Sequence, residues 1–375
     1  MQKNLFSWCE VSLANLDHNA EQIKKLIGKI KFMAVIKANA YGYGLEEIGK
    51  RLKDNKNIDY FGVNTVEEGE LLRTLGVKKP ILVLSANIDK NNLERIHKND
   101  LEIELGSEYL MNIIKDFKKE VKVHIKVDTG INRLGFVQDE LEEALEKIKK
   151  VKNIKVVGIM SHLASVEEGF IDYTRKQIER FKEAISIFEK KEFKGLKHIG
   201  ASSCALALPS GYFDMVRIGI SLYGLWPSEE TRQISVDPEL DLRPLMAFKT
   251  RIIHKKRVPK GDRIGYGCTY KAKEDMVIAV LPVGYYESFD RRLSNIGEVL
   301  ISGHRAKIIG RVCMNMTMAD VTGFEKEVSI GDEVVIFGKS GEEEITAEEF
   351  VEKIGAITYE LATRIPQFIK RIYKE

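Results

Sequence analysis

A chain of 375 residues has room for two domains, each with a core of its own. Apolar residues make up 44% and charged residues 31%, a balance that excludes a disordered or fibrous chain. The 59 lysines and arginines nearly cancel the 56 aspartates and glutamates, so neither nucleic acid nor a membrane surface is expected as a partner.

Met1-Gln2-Lys3-Asn4 leads straight into Phe6-Ser7-Trp8 with no apolar leader core between them. The longest apolar stretch, around Met276 to Tyr286, is interrupted by Pro282 and Gly284 and falls short of the roughly 20 residues that a membrane span needs. Cys9, Cys204, Cys268 and Cys313 show no Cys-x-x-Cys spacing, so neither a metal site nor a disulfide framework is expected. A cytoplasmic protein fits these features.

From residue 13 to 225, short apolar runs alternate with amphipathic stretches. The runs are 32–36, 60–63, 81–84, 101–103, 121–127, 156–159, 197–199 and 215–218, and helical patterns cover 16–26, 66–75, 141–151 and 173–188. Eight strand-plus-helix units point to an α/β fold, a TIM-type (β/α)8 barrel over residues 1–237. A doubly wound sheet competes, but no G-x-G-x-x-G follows the first run. Beyond Pro227, Pro238 and Pro244 the rhythm changes. Strand-like stretches at 246–253, 277–283, 299–301, 306–312, 316–321 and 333–337 are divided by turn signals, and helical patterns at 347–354 and 357–363 close the chain. Residues 238–375 therefore read as a smaller, mostly-β C-terminal domain.

Barrel enzymes work at the C-terminal ends of their strands, so the polar residues that end these runs are the ones to weigh. The first run stops at Lys37, followed by Ala38-Asn39-Ala40-Tyr41-Gly42-Tyr43-Gly44. A lysine there is either snorkelling to solvent or an amine whose pKa falls on desolvation and which a carbonyl can reach. Tyr41 is a loop aromatic or a hydroxyl for a phosphate. The fifth run carries Lys126 facing Asp128, most simply an ion pair, and leads to Arg133, whose planar fork matches a carboxylate. His162 and His198 end the next two runs and read as structural histidines. Arg217 lies in the last run; Gly219 and Ile220 after it offer amides to a phosphate, and Ser202 or Ser203 offers a hydroxyl or a helix cap. In the β domain Tyr266 stands between Gly265 and Gly267, where a turn aromatic is the plain reading.

KANAYGYG at Lys37, KVDTGINRLG from Lys126 to Gly135 and VRIGISLYG from Val216 to Gly224 closely resemble motifs of the alanine racemases, fold-type III pyridoxal-phosphate enzymes. The similarity continues through Arg263-Ile264-Gly265-Tyr266-Gly267, Val283-Gly284-Tyr285, Arg311-Val312-Cys313-Met314-Asn315 and Ile357-Thr358-Tyr359, in the family's order along essentially the whole chain. The resemblance implies that Lys37 holds pyridoxal 5'-phosphate and that Lys37 and Tyr266 are the two catalytic bases. It implies further cofactor contacts at Tyr41, His162, Ser202, Arg217, Gly219, Ile220 and Tyr359, with His162 acting on Arg217. Arg133, Met314 and Tyr285 become substrate contacts, and Lys126 a candidate for carbamylation. Arginine opposite the pyridine nitrogen disfavours a protonated ring, which limits side reactions such as transamination.

The resemblance also implies a homodimer whose Tyr266 serves the partner's site, and an N-terminal strand, within the first ten residues or so, that returns to the second domain. The expected activity is interconversion of L- and D-alanine, supplying D-alanine for peptidoglycan. Asn315 replaces the family's aspartate, which keeps open a racemase of other or broader specificity for serine, lysine or ornithine. A non-catalytic pyridoxal-phosphate carrier is the more distant alternative, because such carriers lack the β domain and its facing tyrosine.

Overall fold

The computed structural model describes residues 5–85 and 87–375. The leading Met1-Gln2-Lys3-Asn4, read above for a leader, lies outside the described residues. Two compact units form: Asn15–Pro244, and Leu245–Glu375 joined by the chain up to Ala14. The division falls a few residues beyond 237/238 because the connector still belongs to the first unit. Asn19 clasps Arg243, its amide Nδ2–H donating to the Arg243 carbonyl (2.9 Å) and its Oδ1 accepting from the Arg243 N–H (2.8 Å).

After β1 (Ser7–Ser12), the first unit holds β2 (Lys31–Val35), β3 (Tyr60–Val63), β4 (Ile81–Val83), β5 (Glu102–Leu105), β6 (Val121–Asp128), β7 (Phe136–Val137), β8 (Ile154–Met160), β9 (Leu196–His198) and β10 (Met215–Ile218). The parallel order β2-β3-β4-β5-β6-β8-β9, with β10 paired back onto β2, makes a nearly closed eight-stranded barrel; two-residue β7 adds to β6. Strands covered on both faces read as unbroken apolar runs, which is how most of them appear in the sequence. β5 and β6 break that rule. Glu102, Glu104, His124 and Lys126 are all buried, and their even spacing puts each pair on one face of its strand.

The surrounding helices start where side chains can cap them. Thr65 accepts from the Glu68 N–H ahead of Val66–Thr74, and the Glu68 carboxylate answers by accepting from the Thr65 N–H, a reciprocal cap. Asp89 and Asn92 repeat it at Lys90–Lys98.

The second unit is built on a seven-stranded sheet containing Met246–Arg251, Glu298–Ile301, His304–Lys307, Glu333–Ser340, Glu343–Ile345 and Lys370–Lys374. β1 completes it, antiparallel to Met246–Arg251 and parallel to Lys370–Lys374. Glu10 fastens β1 to both neighbours through Lys249 (3.1 Å) and Lys374 (2.7 Å). A three-stranded antiparallel sheet, His254–Val258, Met276–Leu281 and Thr317–Asp320, forms the rest of the β structure with a short two-stranded ribbon. No helix among the described residues is long and apolar enough to cross a membrane.

Candidate active site

Lys37 follows the end of β2 and opens a turn of unusual hand. Ala38, Asn39, Ala40 and Tyr41 have φ of 54°, 55°, 52° and 53°, a left-handed turn built without glycine. Each such residue costs roughly 1–2 kcal/mol, so the turn survives only where its surroundings over-determine it. They do. The Asn39 N–H donates to Glu68 Oε1 (3.0 Å), the Asn39 side chain accepts from the Leu45 N–H (2.8 Å), and the Ala40 N–H donates to the Ile36 carbonyl (3.0 Å). Glu68 Oε2 meanwhile takes the Asn64 N–H (2.8 Å), tying the turn to the neighbouring helix start. Tyr223 packs the other side, stacked on Tyr43 at 4.5 Å and tilted against Tyr41 at 5.1 Å. Lys37 is half-buried. Burial first, then the Arg133 guanidinium, holds its amine below the ordinary lysine range, while Glu104 and Glu68 pull it back up.

Arg217, buried in β10, is the hub of a polar network. Its guanidinium donates to His198 Nδ1 (2.8 Å), to His162 Nδ1 (3.1 Å) and to the carbonyls of Ser161 and Ile199 (2.8 Å each). Because His198 accepts at Nδ1, its proton sits on Nε2 and is donated to His124 Nδ1 (2.9 Å); His124 Nε2–H in turn donates to Glu102 Oε2 (2.8 Å). The donors thus run in one direction from Arg217 to Glu102. Burial, reinforced by Arg217, holds His162 and His198 well below the usual imidazole range. Burial also pushes Arg217 down to about 10, which leaves it a cation at neutral pH.

Lys126 faces a different acid from the one its sequence neighbours suggest. Asp128 is occupied by backbone, accepting from the N–H groups of Gly130 (2.8 Å), Asn132 (3.1 Å) and Arg133 (3.0 Å), and so shapes the loop that presents Arg133. The ion-pair partner of Lys126 is Glu104 on β5, 3.6 Å away. Arg133 itself is exposed at that loop.

At the end of β10, four of the expected residues meet. The Gly219 N–H donates to Ser202 Oγ (3.0 Å), and a Cβ on Gly219 would collide with the Tyr41 hydroxyl. Ser202 Oγ is the acceptor in that bond, whereas Ser203 donates to Glu167 (3.3 Å). Ile220 begins the short helical turn Ile220–Tyr223, and Ser221 Oγ is buried with no hydrogen-bond partner among the described residues. Two hydroxyls, a backbone too close for a side chain and an orphaned polar atom suit a phosphate group.

The second unit holds the remaining residues. Tyr266 is 72% exposed between Gly265 and Gly267, whose φ of 74° and 69° are open to glycine at little cost. Gly284 lies so close to the Cys313 and Met314 carbonyls that a Cβ would clash; the Tyr285 N–H donates to the Cys313 carbonyl (3.1 Å), which sets Tyr285 beside Met314. The Asn315 amide donates to Glu287 (2.7 Å). Tyr359 is half-buried on Thr358–Arg364. Glu68, Glu104 and His124 belong to this surrounding although no motif marks them, and Tyr223 lies within VRIGISLYG without a role assigned to it there. For Glu104 and His124 a signal existed: charged residues at alternate places in otherwise buried runs mark a polar barrel interior.

A parallel barrel with a desolvated amine, a buried guanidinium and an anion cradle at the C-terminal ends of its strands defines a barrel enzyme that holds a phosphorylated cofactor. The family follows from comparison. The alanine racemase N-terminal domain model matches residues 11–227 and the C-terminal domain model residues 245–373, so the chain belongs to the alanine racemase family. It is 40% identical to alanine racemase 2 of Caldanaerobacter subterraneus subsp. tengcongensis over 97% of this chain and 94% of that protein. Among solved structures, alanine racemase from Bacillus anthracis with bound L-Ala-P superposes with a TM-score of 0.91 at 32% identity, covering 99% of this chain and 95% of that one. Alanine racemase from Streptomyces lavendulae gives the same TM-score at 26% identity, covering 98% and 97%.

Proposed function

We propose that this chain interconverts L- and D-alanine as a pyridoxal-5'-phosphate-dependent isomerase. The observation that carries the reading is the setting of Lys37, an amine with a depressed pKa on a turn held left-handed against its own preference. Lys37 would hold the cofactor, with its phosphate received by Tyr41, Ser202, Gly219, Ile220 and Tyr359. When bound, that group draws electrons from the substrate Cα and makes its proton labile. Arg217, positioned by His162 and His198, would place a cation at the ring nitrogen and discourage its protonation. Arg133 would take the substrate carboxylate through two parallel N–H bonds, and Met314 and Tyr285 would line the pocket.

Lys37 and Tyr266 then work from opposite faces of Cα, one removing its proton and the other returning one. Tyr266 comes from the second subunit of a homodimer in this reading. Support comes from the exposed side chains Tyr266, Tyr285, Tyr286, Met314 and Met316 of the second unit, apolar surface that a partner would cover. The enzyme would act in the cytoplasm and supply D-alanine for peptidoglycan, so cells lacking it should need D-alanine to grow.

The test is direct. Purified protein loaded with pyridoxal 5'-phosphate is given single enantiomers, and each is followed by chiral chromatography. Either enantiomer of alanine should go to an equal mixture, and Tyr266→Phe should lose roughly 10²–10⁴-fold in rate. No conversion by the loaded protein would refute the reading. Comparable turnover of lysine or serine would favour the broader racemase that Asn315 leaves open.

A further inference from the structure

Glu104 is a buried carboxylate to which the roles above give no task. It lies on β5 beside Lys126 of β6; both residues are 5% exposed, and Oε2 stands 3.6 Å from Nζ. Backbone packs closely at the base of Lys126, since a Cβ on neighbouring Gly106 would come within 3.0 Å of the Lys126 Cβ and 2.9 Å of the Gly135 Cα. Four cations, Lys37, Lys126, Arg133 and Arg217, share this end of the barrel. The charge of Glu104 acts on three of them, Lys37, Lys126 and Arg217. Glu68 also acts on Lys37, but its oxygens are engaged by the N–H groups of Asn39, Asn64 and Thr65.

We infer that Glu104 is a positioning residue that supplies the fixed negative charge of this site, and that Lys126 consequently works as an unmodified ammonium rather than a carbamate. Carbamylation requires the neutral Nζ to add to the carbon of CO2. An N–C bond forms, one C=O pair becomes a carboxylate oxygen and an N–H proton leaves to solvent. The product would set a second carboxylate beside Glu104 in a closed, desolvated space, where like charges cannot both stay ionised. The ammonium has an anion already in place. Burial pushes Lys126 down to about 8, and Glu104 is the group that restrains the fall. A buried pair of this kind costs far more to break than to omit, so removing only the acid leaves an uncompensated charge next to the groups proposed to bind substrate.

The inference rests on the proposed roles of Lys37 and Arg133, but its first test does not. Wild-type holoenzyme is equilibrated with [13C]bicarbonate, and the carbon spectrum is searched for a protein carbamate. None is expected on Lys126, whether or not the protein racemises alanine. At equal cofactor content, Glu104→Gln should lose on the order of 100-fold in kcat/KM through misplaced substrate contacts, and Glu104→Asp, which keeps the charge, should recover most of it. A labelled carbamate on wild-type Lys126 would overturn the proposal. So would a Glu104→Gln enzyme within a few-fold of wild type, or a Glu104→Asp enzyme no better than Glu104→Gln. If Glu104→Gln does not fold, the wild-type label still decides on the carbamate, and a Glu104→Asp enzyme that folds and loads cofactor but falls more than about 10-fold below wild type in kcat/KM overturns the positioning role.

Discussion

Asn315 stands where the motif it resembles carries aspartate, and its neighbour accounts for the amide. Its Nδ2–H donates to Glu287 Oε1 at 2.7 Å, while the other oxygen of that buried carboxylate accepts from the Gly284 N–H at 2.9 Å. Aspartate would bring a second carboxylate against the first. Asn315→Asp should therefore destabilise the protein by about 1–3 kcal/mol at neutral pH, seen as a lower urea midpoint, and Glu287→Gln added to it should restore most of the loss. An Asn315→Asp protein as stable as its parent would rule this out. The histidines around Arg217 make a pH prediction. His162 and His198 are held well below 6.5 when folded, mainly by burial. Below pH 6.5 the unfolded chain takes up protons that the folded one refuses, so stability is present above that pH and lost as pH falls. Two such groups give a slope of about 1.4 kcal/mol per pH unit at pH 6.5 that climbs toward about 2.7 as pH falls to 5.5 and below. A flat unfolding free energy across that interval would show that the histidines titrate freely.

Among the elements, the apolar strands and amphipathic helices of the barrel were legible because burial on both faces leaves unbroken apolar runs. Polar or exposed pieces were not. His254–Val258 reads HKKRV and Lys370–Lys374 reads KRIYK, with no alternation to announce a strand. The left-handed turn was hidden for a different reason. Ala38, Asn39 and Ala40 carry no local preference for positive φ strong enough to reveal it, and one of the hydrogen bonds that hold it comes from Glu68, twenty-nine residues from Asn39. Glu68→Gln tests that dependence. A glutamine of the same shape must aim its NH2 at one of the backbone donors now served by the two oxygens, so an isosteric change should cost about 1–3 kcal/mol. It should also speed release of pyridoxal 5'-phosphate from Lys37, followed by the cofactor's absorbance after dilution. Unchanged stability and unchanged release would mean that the turn holds itself.

At the scale of the whole molecule, a two-chain site makes a quantitative prediction. Tyr266 is 72% exposed on the second unit, with Tyr285 and Met314 exposed as well. If the two bases of one site come from different chains, Lys37→Ala and Tyr266→Phe should each be nearly inactive alone. In a mixed dimer one site collects both defects and the other collects neither. Unfolding and refolding an equal mixture pairs chains at random, so about half the dimers are mixed and roughly a quarter of wild-type activity should return. If Tyr266 served the Lys37 of its own chain, every site in a mixed dimer would keep one defect. Differently tagged chains that co-purify as heterodimers without regaining activity would therefore rule out the shared site, whatever the assignment of the bases themselves.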